Sequence, residues 1–391
     1  MQQIPEENES RIKRLLQRGL YHAVVVVSAY AIVGFWAVTA LNLSFLNPIS
    51  QVVSDFSMTD IFYEILGDTR EPEMSHAITI VDMGYIFDRE GLAKALNDVE
   101  AQEPKVIGVD VVFQGFREDA YADSLVAGVA RNYDNIVWSF RMLNNIGGET
   151  QYTESVHSFF APEVPNMTEG FTEMPRNYYG GIKRKMMMGS KLMGEPQPSF
   201  LAQMLNKYAG SEVVPMESKT LDINFTPTTF IIVPADSVSK YPELIKGRMV
   251  LFGSMTDESD MHYTPLGKIA GVVLLAYSLQ TLLEQKEVKT PDTWVMVVAS
   301  FLLVFIVEII YFRYRRGAAQ LKNRWMRHLL PTTFFFTFVN FLTMGILMGL
   351  AFMLFVRWQV SFNLGWTFTG MAFLEKGRGI WDAMVKIIKK E

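Results

Sequence analysis

Four long apolar stretches, with an acidic segment between the first and the second, constrain the fold of this chain more than any other sequence feature. The stretches cover residues 23–43, 293–312, 329–356 and 358–374. A helix needs about 20 mainly apolar residues to cross the hydrocarbon core of a bilayer, and the first three stretches reach that length. The fourth is shorter and contains Gly365 and Gly370. We therefore predict three to four membrane helices, with residues 45–290 in water on one side of the membrane.

Basic residues predict the orientation of these helices, because short loops rich in Lys and Arg remain in the cytoplasm. One basic group precedes the first stretch, and a second occupies residues 313–328. Two crossings separate the groups, so they lie on the same side. We predict a bacterial inner membrane protein with a cytoplasmic N-terminus and with residues 45–290 in the periplasm. A cleaved signal peptide is the alternative for the first stretch, but its apolar run exceeds the roughly 7–15 residues of such peptides.

The charge of the chain is divided unequally between its parts. Residues 45–290 carry 20 basic and 33 acidic residues, a net charge of −13, whereas the remainder carries 16 basic and 8 acidic residues. Such acidity argues against nucleic acid as a partner, because phosphate binding needs clustered Lys and Arg. The chain contains no cysteine, which excludes disulfides and thiolate metal sites.

These observations predict a division of the chain into eight segments. They are a cytoplasmic N-terminus (1–20), a transmembrane anchor (21–44), a periplasmic domain (45–290), a transmembrane helix (291–312), a basic cytoplasmic loop (313–328), a transmembrane helix (329–357), a short transmembrane helix (358–375) and a basic amphipathic tail (376–391). If residues 358–375 do not cross, the tail lies outside the cytoplasm.

Strand-like and helix-like patterns alternate through the first half of the periplasmic segment. Short β-branched runs at 77–82, 106–113 and 136–141 are separated by amphipathic patterns at 89–103 and 121–131. Further runs indicate helices at 198–208 and 271–284 and strands at 221–225, 229–233 and 249–252, while residues 142–181 indicate loops with one hairpin at most. Strand–helix–strand alternation is typical of a parallel sheet with right-handed crossovers. We predict an α/β periplasmic domain, a mostly parallel sheet with flanking helices, beside an α-helical membrane bundle of three to four helices.

Several motifs of the periplasmic segment together resemble one family. They include ITIVDMGYIFDREGLAKAL, PKVIGVDVVFQ and KGRMVLFGSMTDESDMHYTPLG followed by GVVLLAYSLQTLL. The segment from about 58 to 283 resembles the CHASE family, class two, of extracytoplasmic sensory domains associated with cyclases and histidine kinases. The resemblance implies a sensory role. The chain departs from the family at Leu275, where a histidine is usual, and at Phe87-Asp88-Arg89, where a Trp-Pro turn is usual. We expect it to lack the C-terminal output domain of many family members.

Four aspartates are the candidate ligand-binding residues. Asp82 and Asp110 end two strands that we expect to be neighbours, and Asp257 and Asp260 follow the strand at 249–252. Ligands of open α/β sheets bind beyond the carboxyl ends of the strands, so these carboxylates could converge on a hard cation or on a cationic or polyhydroxy ligand. The alternative is that these aspartates cap helices or hold turns, as short Asp side chains do.

The sequence contains no catalytic motif. Ser254 follows a strand but lacks a G-x-S-x-G elbow, and neither a Gly-rich phosphate loop nor an H-E-x-x-H helix is present. We predict that the protein is not an enzyme, with no catalytic residues, no cofactor and no metal. The basic run Lys183-Arg184-Lys185 could meet an anionic ligand or a lipid headgroup, and a solvated strand face is its alternative.

Two features of the membrane segments could carry function. Glu308 is an intramembrane acid, which by default suggests proton or signal coupling, although snorkelling or pairing with Arg313 would also explain it. Gly345 and Gly349 form a G-x-x-x-G step that allows close helix packing, either within the chain's own bundle or against a partner.

We therefore predict an integral inner-membrane protein whose periplasmic sensory-type domain binds a ligand or an envelope protein and couples it to a separate membrane partner. Its expected partners are the lipid bilayer and a membrane or periplasmic protein, with self-association left open and nucleic acid excluded. The alternative is a structural scaffold subunit of an envelope complex. Aromatic residues within 142–181 could build its docking surface, namely Tyr152, Phe159, Phe160, Phe171, Tyr178 and Tyr179.

Overall fold

The computed structural model describes residues 18–32, 34, 57–146, 151–175, 181–214, 219–330, 333–362 and 364–388. The chain divides into two compact units. The first contains Met1–Met58 and Lys289–Glu391, and the second contains Thr59–Val288.

The described elements are numbered here in chain order. The helices are α1 (Arg18–Ile32), α2 (Met58–Thr69), α3 (Arg89–Glu100), α4 (Ala120–Asn132), α5 (Phe200–Ala209), α6 (Gly271–Leu283), α7 (Thr293–Ala319), α8 (Arg324–Leu329), α9 (Thr333–Trp358) and α10 (Gly365–Ile388). The strands are β1 (Glu73–Asp82), β2 (Val106–Val109), β3 (Ile136–Asn145), β4 (Gln151–Val156), β5 (Thr168–Phe171), β6 (Lys185–Met187), β7 (Gly189–Leu192), β8 (Glu195–Pro198), β9 (Thr220–Asp222), β10 (Thr228–Pro234), β11 (Met249–Gly253), β12 (Met261–Thr264) and β13 (Gly267–Ala270).

A nine-stranded mixed sheet forms the centre of the second unit, with strand order β10-β1-β11-β2-β3-β4-β7-β8 and β5 paired with β3. The strands β10, β1, β11, β2, β3 and β5 run parallel to their neighbours. Beyond them, β3 and β4 pair antiparallel, as do β7 and β8. The mixed α/β fold with a mostly parallel sheet is therefore confirmed.

The expectation that the strands ending at Asp82 and Asp110 are neighbours is wrong. Strand β11 lies between them and pairs in parallel with both β1 and β2. All five residues of β11 are buried, so this short apolar strand has the composition of a sheet centre. Asp82 aligns with Gly253, and Asp110 donates its backbone N–H to Phe252, so the carboxyl ends of the three strands still meet at one edge.

Helices cover both faces of the parallel part of the sheet. Helices α3 and α4 pack on one face through Leu96 and Val126, which share a buried cluster with Ile107. Helix α5 packs on the opposite face, where a Cβ atom at Gly108 would lie 2.3 Å from the Met204 sulfur. Because Gly108 has no side chain, α5 approaches the backbone of β2 directly.

Local capping explains where these helices begin. The Asp88 carboxylate accepts a hydrogen bond from Gly91 N at the start of α3, and Asp119 does the same for the first turn of α4. The Ser199 hydroxyl accepts from Ala202 N at the start of α5, which ends at the left-handed Gly210 (φ 72°). These are the favoured residues for such positions.

The middle of the domain is more ordered than its sequence indicates. Residues 142–181 contribute the end of β3 and the strands β4 and β5, and β3 pairs with β4 through an antiparallel register. Tyr152, Phe160 and Phe171 are buried, and Phe159 is half-buried, so these aromatic residues pack inside the domain rather than forming an open docking surface. Tyr178 and Tyr179 lie outside the described residues.

Two helices of the first unit are long and apolar enough to cross a membrane. They are α7, over Thr293–Ala318, and α9, over Phe334–Trp358. Helix α1 is a shorter apolar helix, and residues 35–44 of the predicted anchor lie outside the described residues. The prediction of three to four membrane helices thus stays a prediction beyond these two.

The last helix differs from its sequence prediction, because Gly370 does not interrupt it. Helix α10 starts at Gly365 and continues to Ile388, so the short span and the tail predicted at 358–375 and 376–391 share one helix. A Cβ atom at Gly370 would lie 2.7 Å from the Tyr30 hydroxyl, and one at Gly377 would lie 2.6 Å from the Val25 carbonyl oxygen. These two glycines allow α1 and α10 to pack closely.

Candidate functional site

A cavity of about 560 Å³ opens at the carboxyl ends of the parallel strands. This is within the usual range of ligand pockets, roughly 300–1,000 Å³. Its walls come from the segments that follow β2, β5 and β11, from β3, and from the first turns of α6. Its polar and charged lining residues include Asp110, Ser139, Arg141, Glu173, Lys183, Asp260 and His262.

The structure places three of the four predicted aspartates in this cavity. Asp110, Asp257 and Asp260 line it. Asp82 does not; its Oδ1 atom accepts hydrogen bonds from the backbone N–H groups of Gly84 and Met255, both at 3.0 Å. Asp82 therefore holds two turns together, which is the structural role weighed against ligand binding.

Asp257 both lines the cavity and caps a helix. It lies exposed on the rim, and its Oδ1 atom accepts hydrogen bonds from the Ser259 hydroxyl (2.7 Å) and the Ser259 N–H (2.9 Å). These bonds lower the pKa of Asp257 from its usual value and cap the short 3-10 helix Glu258–Asp260. This aspartate is therefore mainly a capping residue at the cavity edge.

Asp110 and Glu173 are the acids deepest in the site. Burial, followed by the nearby charge of Asp260, raises the pKa of Asp110 to about 7, against the opposing effects of Arg141 and His262. Burial also raises the pKa of Glu173 to about 7, although one of its carboxylate oxygens accepts a hydrogen bond from Met142 N at 2.7 Å. Both carboxyl groups would ionise more readily beside a bound cation.

Asp260 lies at the start of α6. A Cβ atom at Gly271, the first residue of that helix, would be 2.3 Å from the Asp260 carboxylate, so glycine is needed there. A carboxylate at a helix N-terminus is favourably placed in the helix dipole. His262 Nε2 lies 3.2 Å from Asp260 Oδ1. Among the described residues that line the cavity, this is the one contact between a basic and an acidic side chain at ion-pair distance.

Two basic residues line the cavity, of which Arg141 was not predicted and Lys183 was considered only as part of the basic run. Arg141 on β3 is exposed, and its charge acts on Asp110, Glu173 and Asp257 without forming an ion pair with any of them. Lys183 also lines the cavity, and burial lowers its pKa. Sequence patterns could not identify Arg141, because a charged residue on a strand usually faces solvent.

The basic run of the sequence does not act as one patch. Lys183 lines the cavity, whereas Arg184 Nε donates to Asp60 at 2.9 Å and Lys185 Nζ lies 3.0 Å from Asp222 Oδ1. Leu275, the position at which the chain departs from the family's usual histidine, also lines the cavity. At the other departure, Asp88 caps α3 and Arg89 donates to the carbonyl oxygens of Gln114 and Gly115.

Metal binding gains no support from this geometry. Within the part of the chain that the structure describes, no group of three or more His, Asp or Glu side chains is placed to hold a metal ion.

Glu308 is fully buried in the first unit, and its partner differs from the one considered in the sequence. Arg378 of α10, rather than Arg313, donates to Glu308 Oε2, and His22 Nδ1 of α1 lies 3.4 Å from Glu308 Oε1. Three helices therefore meet at this acid. Gly345 and Gly349, in contrast, have no other described helix against them, since a Cβ atom at either would meet no atom within 4 Å.

The described residues thus combine an α/β domain that has a polar cavity at its strand ends with two helices apolar enough to span a membrane. A family model described as the CHASE2 domain matches residues 32–310. This match covers more than half of the chain, which therefore belongs to the CHASE2 family of extracellular sensory domains. No curated protein and no solved structure matches the chain.

Proposed function

We propose that this chain is a non-enzymatic receptor subunit of a bacterial inner membrane. Its periplasmic domain binds a small polar ligand in the cavity, and its helices couple binding to a separate membrane partner. The observation that carries the proposal is the cavity at the strand ends, which is lined by charged groups of both signs, most of which form no ion pair within the described residues. Unpaired charges facing a cavity are typical of sites that bind polar ligands.

Two observations support the coupling part of the proposal. The glycine step at Gly345 and Gly349 has no described helix of this chain against it, and such steps let helices of different chains pack closely. The basic loop at 313–328 favours a cytoplasmic position for the turn between α7 and α9, which would bring the helices into reach of cytoplasmic signalling modules.

A ligand screen on the full-length protein in lipid nanodiscs tests the receptor part. The panel holds water-soluble metabolites of anionic, cationic, zwitterionic and neutral classes, and the readout is the change in melting temperature on addition of each compound. We expect at least one compound to stabilise the wild type and to have no effect on the Asp110→Asn/Arg141→Gln double variant. A panel without any stabilising compound would contradict the receptor proposal.

Affinity purification from native membranes in mild detergent tests the coupling part. We expect a stoichiometric companion that carries a kinase, cyclase, secretion or motor module, and we expect the Gly345→Ile/Gly349→Ile variant to lose it. Recovery of the wild-type chain alone would contradict coupling and leave the receptor part standing.

A further inference from the structure

The cavity combines acids and bases in an arrangement that restricts the charge of its ligand. Four acidic side chains line it, those of Asp110, Glu173, Asp257 and Asp260, together with the cations of Arg141 and Lys183. His262 Nε2 lies 3.2 Å from Oδ1 of one of these acids, Asp260. The lining is therefore acidic overall but contains two cations that the described residues leave unpaired.

A buried hydroxyl gives a second, independent indication of a ligand. Ser139 is 1% exposed and lies in the cavity wall, and its Oγ atom has no hydrogen-bond partner among the described residues. One carboxylate oxygen of Glu173 is likewise buried without a partner. Leaving a buried polar group unsatisfied costs about 1–3 kcal/mol of stability. Such groups in a cavity wall therefore indicate a ligand that supplies the missing hydrogen bonds.

Groups of both signs that form no ion pair among the described residues would each gain from an opposite charge. A purely cationic ligand would satisfy Asp110 and Glu173 but would be repelled by Arg141 and by Lys183. A purely anionic ligand would satisfy Arg141 and Lys183 but would be repelled by the acidic side chains, which are more numerous. A neutral polyol would leave all of these charges uncompensated.

We propose that the ligand is a small zwitterion of the amino acid or short-peptide class. Its ammonium group binds among Asp110, Glu173 and Asp260, and its carboxylate binds Arg141 and Lys183. The Ser139 hydroxyl supplies a further hydrogen bond. This assignment rests on the proposed receptor function and names the ligand class of the same site.

A titration of the full-length protein in nanodiscs with the standard L-amino acids and with L-alanyl-L-alanine tests the assignment. Isothermal titration calorimetry or equilibrium dialysis measures the affinity. The tightest binder is then compared with its own methyl ester, which keeps only the positive charge, and with its N-acetyl derivative, which keeps only the negative charge. We expect each derivative to bind at least tenfold more weakly than the parent compound.

Variants assign the two ends of the ligand. We expect Arg141→Gln to weaken binding of the parent compound at least tenfold while changing binding of its methyl ester little. We expect Asp110→Asn to weaken binding of the parent compound at least tenfold while changing binding of its N-acetyl derivative little. Arg131→Gln is the matched control, since Arg131 lies at the surface and pairs with Glu163 at 2.7 Å. This control should bind like the wild type.

The outcomes separate this assignment from the receptor proposal. An ester or an N-acetyl derivative that binds as tightly as its parent would overturn the zwitterion and keep a receptor for a singly charged ligand. The same holds if no amino acid or dipeptide binds but another compound of the broad panel does. If nothing binds in either experiment, both proposals fail.

Discussion

Glu308 of α7 accepts a hydrogen bond from Arg378 of α10, although the two residues are 70 positions apart in the chain. The Glu308 side chain is fully buried and that of Arg378 nearly so, and the guanidinium also lies 4.7 Å from the centre of the Tyr311 ring. Removing one member of a buried ion pair leaves the other charge uncompensated, which costs more than removing both.

We therefore expect Arg378→Gln to lower the stability of the full-length protein by roughly 3–5 kcal/mol, and Glu308→Gln/Arg378→Gln to cost less than that. Lys386→Gln, an exposed position on the same helix, should stay within about 0.5 kcal/mol of the wild type. Melting in detergent, followed by intrinsic fluorescence, measures the ranking. Equal shifts for Arg378→Gln and Lys386→Gln would show that the pair is not structural.

Two glycines of α10 provide a second test of how the first unit packs. Gly377→Ala places a methyl group against the backbone of α1 at Val25 and Ala29, and we expect it to cost roughly 1–3 kcal/mol as other overpacked sites do. Gly379→Ala meets no atom within 4 Å and should be neutral or gain up to about 1 kcal/mol from helix propensity. Thermal melting of the two variants checks the contrast, which would fail if they behaved alike.

The raised pKa of Asp110 predicts a pH dependence of stability. Its pKa is about 7 in the folded domain and near 4 in an unfolded chain, so the folded state binds the extra proton between these values. The contribution of Asp110 to the free energy of unfolding therefore falls as the pH rises from about 4 to about 7. We expect Asp110→Asn to melt at a higher temperature than the wild type, by an amount that grows from pH 5 to pH 7 and then levels off.

At pH 8 the gain of Asp110→Asn should be roughly 1–3 kcal/mol, allowing for water in the cavity. Differential scanning fluorimetry across the pH range measures it. Asp257→Asn is the control on the same cavity, and because hydrogen bonds lower the pKa of Asp257, it should give no gain. A constant difference between Asp110→Asn and the wild type at all pH values would contradict the shift.

Arg89 predicts a large loss of stability in the second unit. Its guanidinium pairs with buried Asp123, donates to the Gln114 and Gly115 carbonyl oxygens at 3.0 and 2.7 Å, and stacks on the Phe159 ring at 4.5 Å. We expect Arg89→Met to cost roughly 3–5 kcal/mol, since Asp123 would remain buried without its cation. Lys94→Met, whose exposed pair with Asp98 lies within one helix, should change the melting temperature little.

Much of the fold of the second unit followed from periodicity. The helices at Leu96 and Val126 and the strand at Leu251 are where their apolar spacing places them, because one buried face determines each pattern. The neighbour of β1 could not be predicted, because strand order depends on contacts between distant segments that leave no local signal. The sequence indicated one hairpin at most within residues 142–181 but could not place the pairing of β3 with β4, since Gly and Asn interrupt the alternation of apolar and polar residues there.

The candidate site could be predicted in position but only partly in composition. Placing ligands beyond the strand ends brought Asp110 and Asp260 into consideration, and the cavity lies there. Arg141 and Ser139 gave no signal, since their side chains look like those of any polar position on a strand. The same limit applies in the first unit, where a G-x-x-x-G motif drew attention to Gly345 while Gly377, in no motif, makes the close contact.

The central position of β11 has a consequence for how this domain is made. Strand β11 lies between β1 and β2 and pairs with both. The centre of the sheet therefore cannot form until Met249–Gly253 has been synthesised, about 140 residues after β2. Contacts of such long sequence separation make folding slow and leave apolar strand edges open in the meantime. The emerging chain must therefore remain unassembled, and in need of protection from aggregation, until nearly the whole domain is available.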